Sequence, residues 1–396
     1  MSGNHKAYHI IYPVSETLSQ HNARFIQILH TADALARNGC QVDLIIGRTT
    51  KGDSQVILAG YGIVRHPFLY IHQIPILRPD EPSLIRFSWN GIFNFFCFLK
   101  IKKLLNRNKY NAIYLRHLKL ANFLLKFKRI FKVPFIFEAH EIFHLTTKNK
   151  GKVNRLKRLE KFVYPNIDGL VTITNSLKEM IKVYFDVKCP IYVIPDGVDL
   201  EKFSPKSNKP NGRKIIYIGQ LYLWKGIDTL IRAMEYVKDA ELHIVGGKLK
   251  GIKTLKVMAE RLKCNDRITF HGHIPIEQVT EYLKHANVAI IPLTTDPIST
   301  YFTSPLKLFE YMASKVPIVA SDLPSIREIL IDKVNAVLVK PEDPKALADG
   351  IKRVLDDRKL AQRISDQAYL DVQKYTWEER AKGIIEVIHR LSIPAT

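Results

Sequence analysis

The sequence predicts an α/β protein built from two similar halves, each a parallel sheet covered by helices. Three observations support this prediction. The chain has 396 residues, which is long for one hydrophobic core and suits two. Short apolar runs alternate with longer segments of helical periodicity, as in layered parallel α/β proteins. A polar, turn-rich stretch at 203–212 separates two such series, because the alternation restarts after it.

The opening elements of the first half show this pattern clearly. Residues 8–14 form an apolar run that predicts a buried strand. Residues 22–38 carry apolar side chains at helical spacing, and Gly39 supplies a stop. Further strands are predicted at 42–46, 112–115, 135–137, 169–173 and 192–194. Helices are also predicted at 87–106 and 118–131.

The second half repeats the series. A strand at 214–218 precedes a helix with apolar residues spaced from Ile227 to Val237. Further strands are predicted at 242–245, 268–270, 288–291 and 318–320. We therefore divide the chain into domains 1–205 and 206–378, followed by a terminal helix at 379–396. Ligands of open parallel sheets bind at the carboxyl ends of the strands, so we expect a site between the halves.

Cysteine usage and apolar runs indicate a cytoplasmic protein. The four cysteines, at 40, 97, 189 and 264, have neither the spacing of a zinc site nor that of a disulfide framework. The N-terminus lacks the apolar stretch of a signal peptide. The most apolar segment, 91–99, is about half of what a bilayer span requires.

Positive charge is concentrated in the first half. The net charge is +22, and residues 1–208 hold 31 Lys and Arg against 15 Asp and Glu. Between Lys100 and Lys161, 18 basic residues face only Glu138, Glu141 and Glu160. Such a stretch could attract nucleic acid, an anionic membrane or a phosphorylated substrate. The alternative is an ordinary solvated basic surface.

The helix that follows Ser304 is a candidate ligand-binding segment. Ser304 is predicted to cap it, with Pro305 at its first position, where a missing N–H costs nothing. Its free N–H groups favour an anion. Glu310 lies one turn beyond Leu306, and its carboxylate could accept hydrogen bonds from a ribose diol. Taken alone, Glu310 is better interpreted as a surface residue of the helix.

The predicted strand 135–137 runs into a polar group of Glu138, His140 and Glu141. A histidine at a strand end, between two carboxylates, suits a cleft whose partners orient the imidazole. A structural histidine is the alternative. The two glutamates resemble the acid pair of a glycosidase only weakly, because their spacing of three says little about geometry.

Several segments, in order, resemble the retaining GT-B glycosyltransferases of glycosyltransferase family four. The strongest is 304–330, SPLKLFEYMASKVPIVASDLPSIREIL. The others are VIPDGVD at 193–199 with Phe203, IGQL at 218–221 with Lys225 and Gly226, IVGG at 244–247, HGHIP at 271–275, ANVA at 286–289 and YTW at 375–377. The resemblance covers the second half well and the first half loosely.

The resemblance implies a GT-B fold, with two Rossmann-like domains facing a central cleft. It implies an acceptor-side first domain, a second domain that binds the nucleotide sugar, and a last helix that returns to the first domain. Catalytic roles are implied for His140, which faces the sugar, Lys225, which contacts the diphosphate, and Glu310, which holds the ribose. The other donor-binding positions implied are Gly219, Gln220, Gly246, Gly247, His273, Ile274, Ser304, Pro305 and Leu306.

Two positions depart from the family pattern. Phe302 stands where a glutamate often contacts the donor sugar, and Gln220 stands where a basic residue is common. The first departure puts the identity of the donor sugar in doubt. The second leaves Lys225 without a second positive charge at the diphosphate. The loop 15–22 lacks the paired glycines often found there, so Gln20 and His21 are only loosely placed near the cleft.

The resemblance implies a hexosyltransferase that uses a UDP- or GDP-linked sugar and needs no metal or other cofactor. The acceptor is expected to be a lipid-linked or saccharide molecule of cell-envelope polysaccharide or glycolipid synthesis. The basic first half suggests peripheral binding to the inner face of an anionic membrane. The alternatives are a silent sugar-nucleotide sensor, a sugar-nucleotide epimerase and a nucleic-acid-binding protein, although no base-stacking aromatic platform is visible.

Overall fold

The computed structural model describes residues 8–17, 23–48, 54–76, 89–205 and 212–392. These fall into two compact units. The first comprises Met1–Ile173, Leu177–Pro195 and Trp377–Thr396, and the second comprises Thr174–Ser176 and Asp196–Thr376. The boundary thus follows Pro195, whereas the polar linker suggests 205, because Val198 and Phe203 are buried in the core of the second unit.

The first unit contains a parallel seven-stranded sheet of order β3-β2-β1-β4-β5-β6-β7. Its strands are β1 (His9–Val14), β2 (Gln41–Gly47), β3 (Leu69–Ile74), β4 (Ala112–Leu115), β5 (Phe135–Ala139), β6 (Gly169–Thr172) and β7 (Ile191–Val193). The central strands β4 and β5 are buried at every residue. Their nearly continuous apolar sequence is what a sheet covered on both faces requires.

The helices before residue 196 connect these strands. They are α1 (Ala23–Arg37), α2 (Ser54–Ala59), α3 (Trp89–Leu105), α4 (Leu118–Leu125), α5 (Lys128–Phe131), α6 (Phe143–Thr146), α7 (Val153–Asn166) and α8 (Asn175–Tyr184). The helix predicted across 118–131 is wrong as a single element. Phe127 leaves helical geometry at φ −107° and ψ 12°, and its ring packs 4.7 Å from that of Phe98. Tertiary packing here prevails over helical periodicity.

The second unit contains a parallel six-stranded sheet of order β10-β9-β8-β11-β12-β13. Its strands are β8 (Lys214–Ile218), β9 (Glu241–Val245), β10 (Ile268–Gly272), β11 (Val288–Ile291), β12 (Ile318–Ser321) and β13 (Val337–Val339). Its helices are α9 (Ile227–Ala233), α10 (Leu249–Arg261), α11 (Ile276–Lys284), α12 (Pro297–Tyr301), α13 (Leu306–Ala313), α14 (Pro324–Arg327), α15 (Pro344–Asp356) and α16 (Arg358–Val372). Successive β8 residues alternate between two buried clusters, one on each face.

The last helix, α17 (Trp377–Ser392), belongs to the first unit and packs on α1. The Trp377 ring stacks on His30 of α1 with centroids 5.2 Å apart. A 2.7 Å hydrogen bond between the Tyr8 hydroxyl and His389 Nδ1 joins α17 to the residue before β1. Ala381, Ile384, Val387 and Ile388 form the buried apolar face of α17.

Sequence periodicity did not indicate β3, α2 or β13. β3 carries His72 and Gln73 among its apolar residues and lies at the sheet edge, and β13 has only three residues. Such short or edge elements have weak patterns of their own. Within the described ranges, no helix combines the length and hydropathy that a membrane span requires.

Candidate active site

Three adjacent strands of the second unit end in a closely packed group of glycines. Gly219 N–H donates to the Val245 carbonyl at 2.9 Å, and Gly246 N–H donates to the Gly272 carbonyl at 2.6 Å. Gly246 has a φ of +107°, and a Cβ there would lie 2.3 Å from the Gly219 oxygen. Only glycine permits this approach. The loops after β8 and β9 therefore expose backbone at the carboxyl edge of the sheet, where ligands bind.

Lys225 ends a short 3₁₀ helix, Leu223–Lys225, that follows β8. The Trp224 carbonyl accepts hydrogen bonds from Thr294 N–H at 3.2 Å and from the Ser299 hydroxyl at 2.9 Å, which tie the turn to the segment after β11. The ammonium lies 4.0 Å from the centroid of the Trp224 ring. Burial lowers the pKa of Lys225 to about 8, and no carboxylate in the described part of the chain pairs with it.

Gly226 sets the end of this turn. It has a φ of +65°, and a Cβ would lie 1.8 Å from the Pro292 carbonyl oxygen. Gly226→Ala is expected to cost about 1–2 kcal/mol from the left-handed conformation and about 1–3 kcal/mol more from overpacking. Thermal unfolding measures the loss. Gly39→Ala is the matched control, since Gly39 has a φ of +84° with open space around it. Equal losses in the two variants would show that the Pro292 contact is unimportant.

Glu310 is buried on α13 with only 5% of its surface exposed. Lys307 Nζ lies 2.6 Å from its Oε2, so Lys307 is a site residue that sequence reasoning missed, although its spacing of three is a helical pairing signal. The next residue, Tyr311, accepts a 2.9 Å hydrogen bond from Ile218 N–H. That bond fixes α13 against the end of β8, directly before Gly219.

The predicted cap of α13 is wrong by one residue. The N-cap is Pro305, without a side-chain cap, and the helix begins at Leu306. The Ser304 hydroxyl instead accepts a 3.3 Å hydrogen bond from Asp196 N–H. Proline cannot supply a side-chain acceptor, so the first N–H groups of α13 have no capping side chain.

The other predicted donor residues lie at the same edge of the sheet. His273 is exposed and Ile274 half-buried just after β10, and Ile274 packs on the core. The Gln220 carbonyl accepts a 2.9 Å hydrogen bond from the Tyr217 hydroxyl. Phe302, at the end of α12, is 3% exposed and serves the core rather than a ligand. The edge thus brings together the predicted donor residues of the second unit.

His140 belongs to the first unit, in a cavity of about 270 Å³. Its Nε2 contacts Glu138, which is completely buried. Glu138 also accepts from Gln27 Nε2 at 2.6 Å and from the Tyr114 hydroxyl, and it forms a 2.7 Å ion pair with Arg380 of α17. Sequence reasoning named Glu138 and His140 but missed these three partners.

Electrostatics set the protonation of this network. Burial alone would raise the pKa of Glu138, but Arg380 and then His140 hold it well below its usual range. Burial, followed by the positive charge of Arg116, lowers the pKa of His140 to about 4. At neutral pH the imidazole is therefore uncharged. With Nε2–H donating to Glu138, Nδ1 is left as an acceptor.

A second polar cluster lines the same cavity. Glu16 Oε1 accepts from His117 Nε2 at 2.9 Å and from Arg24. Burial would raise the pKa of Glu16, but His117 and Arg24 hold it at about 2. The predicted residues Gln20 and His21 lie outside the described residues. Among the described residues, no group of three or more His, Cys, Asp or Glu side chains could hold a metal ion.

Two known protein families together match residues 26–371 of this chain. Residues 26–202 match "Glycosyltransferase Family 4", and residues 199–371 match "Glycosyl transferases group 1". Among curated relatives, a D-inositol 3-phosphate glycosyltransferase of Xylanimonas cellulosilytica is 25% identical over 248 residues. That alignment covers 58% of this chain, and the chain spans 58% of the relative's length.

Two solved structures share the fold. Sucrose-phosphate synthase from Thermosynechococcus elongatus aligns with a TM-score of 0.78 at 20% identity, over 97% of this chain and 99% of that one. Anabaena HepE in complex with UDP aligns with a TM-score of 0.74 at 15% identity, over 96% and 99%. The two parallel sheets and these likenesses confirm the predicted GT-B fold. The matches to the two glycosyltransferase families confirm the predicted transferase class. The chain therefore belongs to the GT-B glycosyltransferases, with a first half of the Glycosyltransferase Family 4 type and a second half of the glycosyl transferases group 1 type.

Proposed function

We propose that this glycosyltransferase moves a sugar from a UDP- or GDP-linked donor, with retention at the anomeric carbon, and works without a metal. The acceptor is a lipid-linked or saccharide molecule of cell-envelope polysaccharide or glycolipid synthesis, at the cytoplasmic face of the membrane. The observation that carries the proposal is Lys225, a half-buried ammonium without a carboxylate partner among the described residues.

Lys225 suits the diphosphate of the donor. As the glycosidic bond breaks, negative charge builds on the leaving phosphate, and a fixed cation in a poorly solvated place stabilises it. The glycine turns at 219 and 246 let backbone approach the same ligand. Among these groups, the ammonium has the role that a divalent metal has in other nucleotide-sugar enzymes.

Glu310 suits the ribose. Lys307 occupies only Oε2, which leaves Oε1 to accept a hydrogen bond from a hydroxyl group. The ion pair with Lys307 also fixes the direction of the carboxylate. Bound UDP in the fold neighbour HepE supports a uridine donor, and GDP stays the alternative.

The first unit supports an acceptor role without a covalent nucleophile. Glu138 is fully buried and surrounded by donors, so it has no path to a sugar carbon. His140, uncharged at neutral pH, can accept a hydrogen bond from a sugar hydroxyl through Nδ1. We therefore assign no protein nucleophile, and the leaving phosphate itself deprotonates the acceptor.

A donor screen tests this proposal. Purified protein is incubated with UDP-, GDP- and ADP-sugars, with and without membrane lipid extract, and nucleoside diphosphate release is measured. Release from one donor that depends on the extract, and that falls in Glu310→Ala, supports transfer to a lipid acceptor. Binding of a donor without release in any condition would point to a silent sensor. Turnover of the sugar nucleotide without acceptor would point to an epimerase.

Donor affinity is expected to depend on pH through Lys225. An anion favours the charged ammonium, so the pKa of Lys225 rises above about 8 in the complex. Affinity is then complete below pH 8 and falls as the pH rises, by up to ~tenfold per unit. Calorimetric titration with UDP at several pH values from neutral to alkaline measures this. The same slope in Lys225→Met would show that another group is responsible.

An exposed apolar face on α3 supports membrane binding. Phe95, Phe96 and Leu99 are 56%, 39% and 44% exposed, and Lys102 and Lys103 follow within the helix. Aromatic and aliphatic side chains beside lysines suit an anionic lipid surface, where the rings insert and the ammonium groups contact headgroups.

Phe95→Ser with Leu99→Ser is expected to weaken binding to phosphatidylglycerol-containing vesicles by about tenfold, because less apolar surface is buried. Sedimentation at low salt measures binding. Leu370→Ser is the matched control, since Leu370 is 64% exposed on α16 of the second unit. Unchanged sedimentation of the α3 variant would rule out this face as the membrane contact.

A further inference from the structure

A second cavity, of about 400 Å³, lies between α11 and the sheet of the second unit. Ile216, His243 and His271 line it from β8, β9 and β10, and Tyr282 and Ala286 line it from α11 and the turn that follows. Its volume lies in the range of small-molecule pockets. None of these five residues belongs to the proposed donor site, so the cavity is a second place where a small molecule fits.

The cavity is distinct from the donor residues at the carboxyl edge of the sheet. Lys214 lines it at the first residue of β8, whereas Gly219 follows the last residue of that strand. The extended chain between these two residues spans about 16 Å. His271 directly precedes Gly272, whose carbonyl accepts the Gly246 N–H. The cavity therefore has its own lining but approaches the donor residues along β10.

The two histidines of the cavity form one flat surface. His243 Nδ1 lies 3.0 Å from His271 Nε2, at hydrogen-bond distance. The ring planes differ by 11°, and the ring centroids are 5.2 Å apart. Because ring N–H groups and lone pairs lie in the ring plane, a hydrogen bond between two nearly parallel rings places them side by side rather than face to face. We call this pair the imidazole plate.

The imidazole plate offers ring faces to the cavity rather than nitrogen atoms. The bond between the rings uses one nitrogen of each histidine. His271 Nδ1 lies 3.2 Å from the Tyr282 hydroxyl, and His243 Nε2 is buried, 3.5 Å from the Glu241 carboxylate. All four nitrogen atoms therefore face protein groups, so the plate suits neither a metal ion nor an anion.

Tyr282 closes one side of the imidazole plate. Its ring stands at 68° to that of His271, with the centroids 4.7 Å apart. Ile216 and Ala286 are 2% and 6% exposed and give the cavity an apolar wall. Gln278, exposed on α11, supplies a polar group at the rim. An aromatic corner, an apolar wall and a polar rim are the usual composition of a small-molecule site.

We infer that this cavity is a second binding site, for a small planar aromatic or heteroaromatic molecule that stacks on the imidazole plate. Such a ring presents its face to the plate and its edge to the Tyr282 ring, the two arrangements that aromatic pairs prefer. A saturated ring has no π-system and gains only the burial of apolar area. Polar substituents of the ligand point toward the rim, where the Gln278 amide donates or accepts hydrogen bonds.

Indole and adenosine are the planar probes, and cyclohexanol is the non-planar one. Ligand-observed NMR titrations of the full chain, with and without saturating UDP, measure their affinities. At least one planar probe is expected to bind about tenfold more tightly than cyclohexanol, with or without UDP. Failure of both planar probes to bind, or equal affinity for cyclohexanol, would overturn the inference. Displacement of the planar probe by UDP would assign it to the donor site and would also overturn the inference.

Two variants locate the bound probe. Gln278→Trp places an indole ring at the rim, where it is expected to fill the cavity and abolish binding. His243→Leu with His271→Leu removes the imidazole plate but keeps a similar apolar volume. This double change is expected to weaken binding of the planar probe by about tenfold and to leave cyclohexanol affinity unchanged. Circular dichroism verifies folding, and Gln278→Trp, at an exposed position, keeps the test valid if the double variant does not fold.

The matched control introduces tryptophan outside the cavity. Gln373 is exposed directly after α16, and Gln373→Trp should leave the affinity for the planar probe unchanged. Equal losses in the two tryptophan variants, or wild-type affinity in Gln278→Trp, would place the probe elsewhere and overturn the inference. Absence of UDP binding by the wild type, with binding of the planar probe retained, would contradict the proposed function and leave this inference standing.

Discussion

Lys225→Met is expected to lower kcat/KM for the sugar-nucleotide donor by about 10²- to 10³-fold, the usual loss when one fixed group that stabilises transition-state charge is removed. Methionine has a similar length and an apolar side chain, but it lacks the charge that lies over the Trp224 ring. The turn should therefore keep its shape, since its hydrogen bonds run through the Trp224 carbonyl. The measurement is steady-state release of the nucleoside diphosphate.

The distribution of this loss between kcat and KM shows what Lys225 does. If the ammonium stabilises charge that develops as the sugar leaves, kcat and kcat/KM fall together. If it only binds the diphosphate, KM rises and kcat is unchanged. Lys256→Met on α10 removes an exposed lysine and should leave both constants unchanged. Nearly full kcat/KM in Lys225→Met would mean that another group carries the diphosphate charge.

Much of the fold of the second unit could be predicted from the sequence because its strand and helix patterns are local, and the candidate donor residues lie beside those patterns. The strand-end glycines and Lys225 follow short apolar runs, and Glu310 lies one turn inside a helix, so each pattern spans only a few residues. The edge of a parallel sheet then brings such segments together. Ser304 shows the limit of such local prediction. It was predicted to cap α13, but the cap position is set by backbone geometry and falls one residue later, at Pro305.

The first unit could be predicted less well because its site depends on distant partners. His140 and Glu138 stand out at the end of an apolar strand, but Arg380 lies 242 residues beyond Glu138. No periodicity connects two such positions, since side-chain pairing across a fold leaves no local signal. The sequence does show that Arg380 is an arginine on the apolar stripe of α17. A charged residue among buried neighbours indicates that an oppositely charged partner is present, but the sequence does not show which residue it is.

That pairing leads to the other large expected effect. Arg380→Met is expected to destabilise the first unit by about 3–5 kcal/mol, because Glu138 becomes a buried charge without a counter-ion. Arg380 is 2% exposed and Glu138 is 0% exposed, so water cannot replace the lost guanidinium. Arg380 also donates at 2.8 Å to the carbonyls of Ile194 and Pro195, and those bonds are lost as well.

Urea unfolding followed by tryptophan fluorescence measures the change, since Trp377 lies in the first turn of α17. Arg390→Met is the matched control on the same helix. Its partner Glu386 lies one turn away, and both side chains are more than half exposed, so little change is expected. Glu138→Gln in the Arg380→Met background removes the buried charge and should restore part of the stability.

The pH dependence separates this electrostatic account from a simple loss of packing. In the wild type the pKa of Glu138 lies well below its usual range, so its contribution is present above the unfolded pKa and is lost as the pH falls below it. Without Arg380, burial raises that pKa above the unfolded value. The penalty is then greatest at neutral pH and shrinks as the pH falls toward 5, so the two proteins converge. A stability difference that is constant between pH 7 and 5 would mean that Arg380 acts through packing and its backbone hydrogen bonds. Gln27, Tyr114 and His140 would then suffice to stabilise the charge of Glu138.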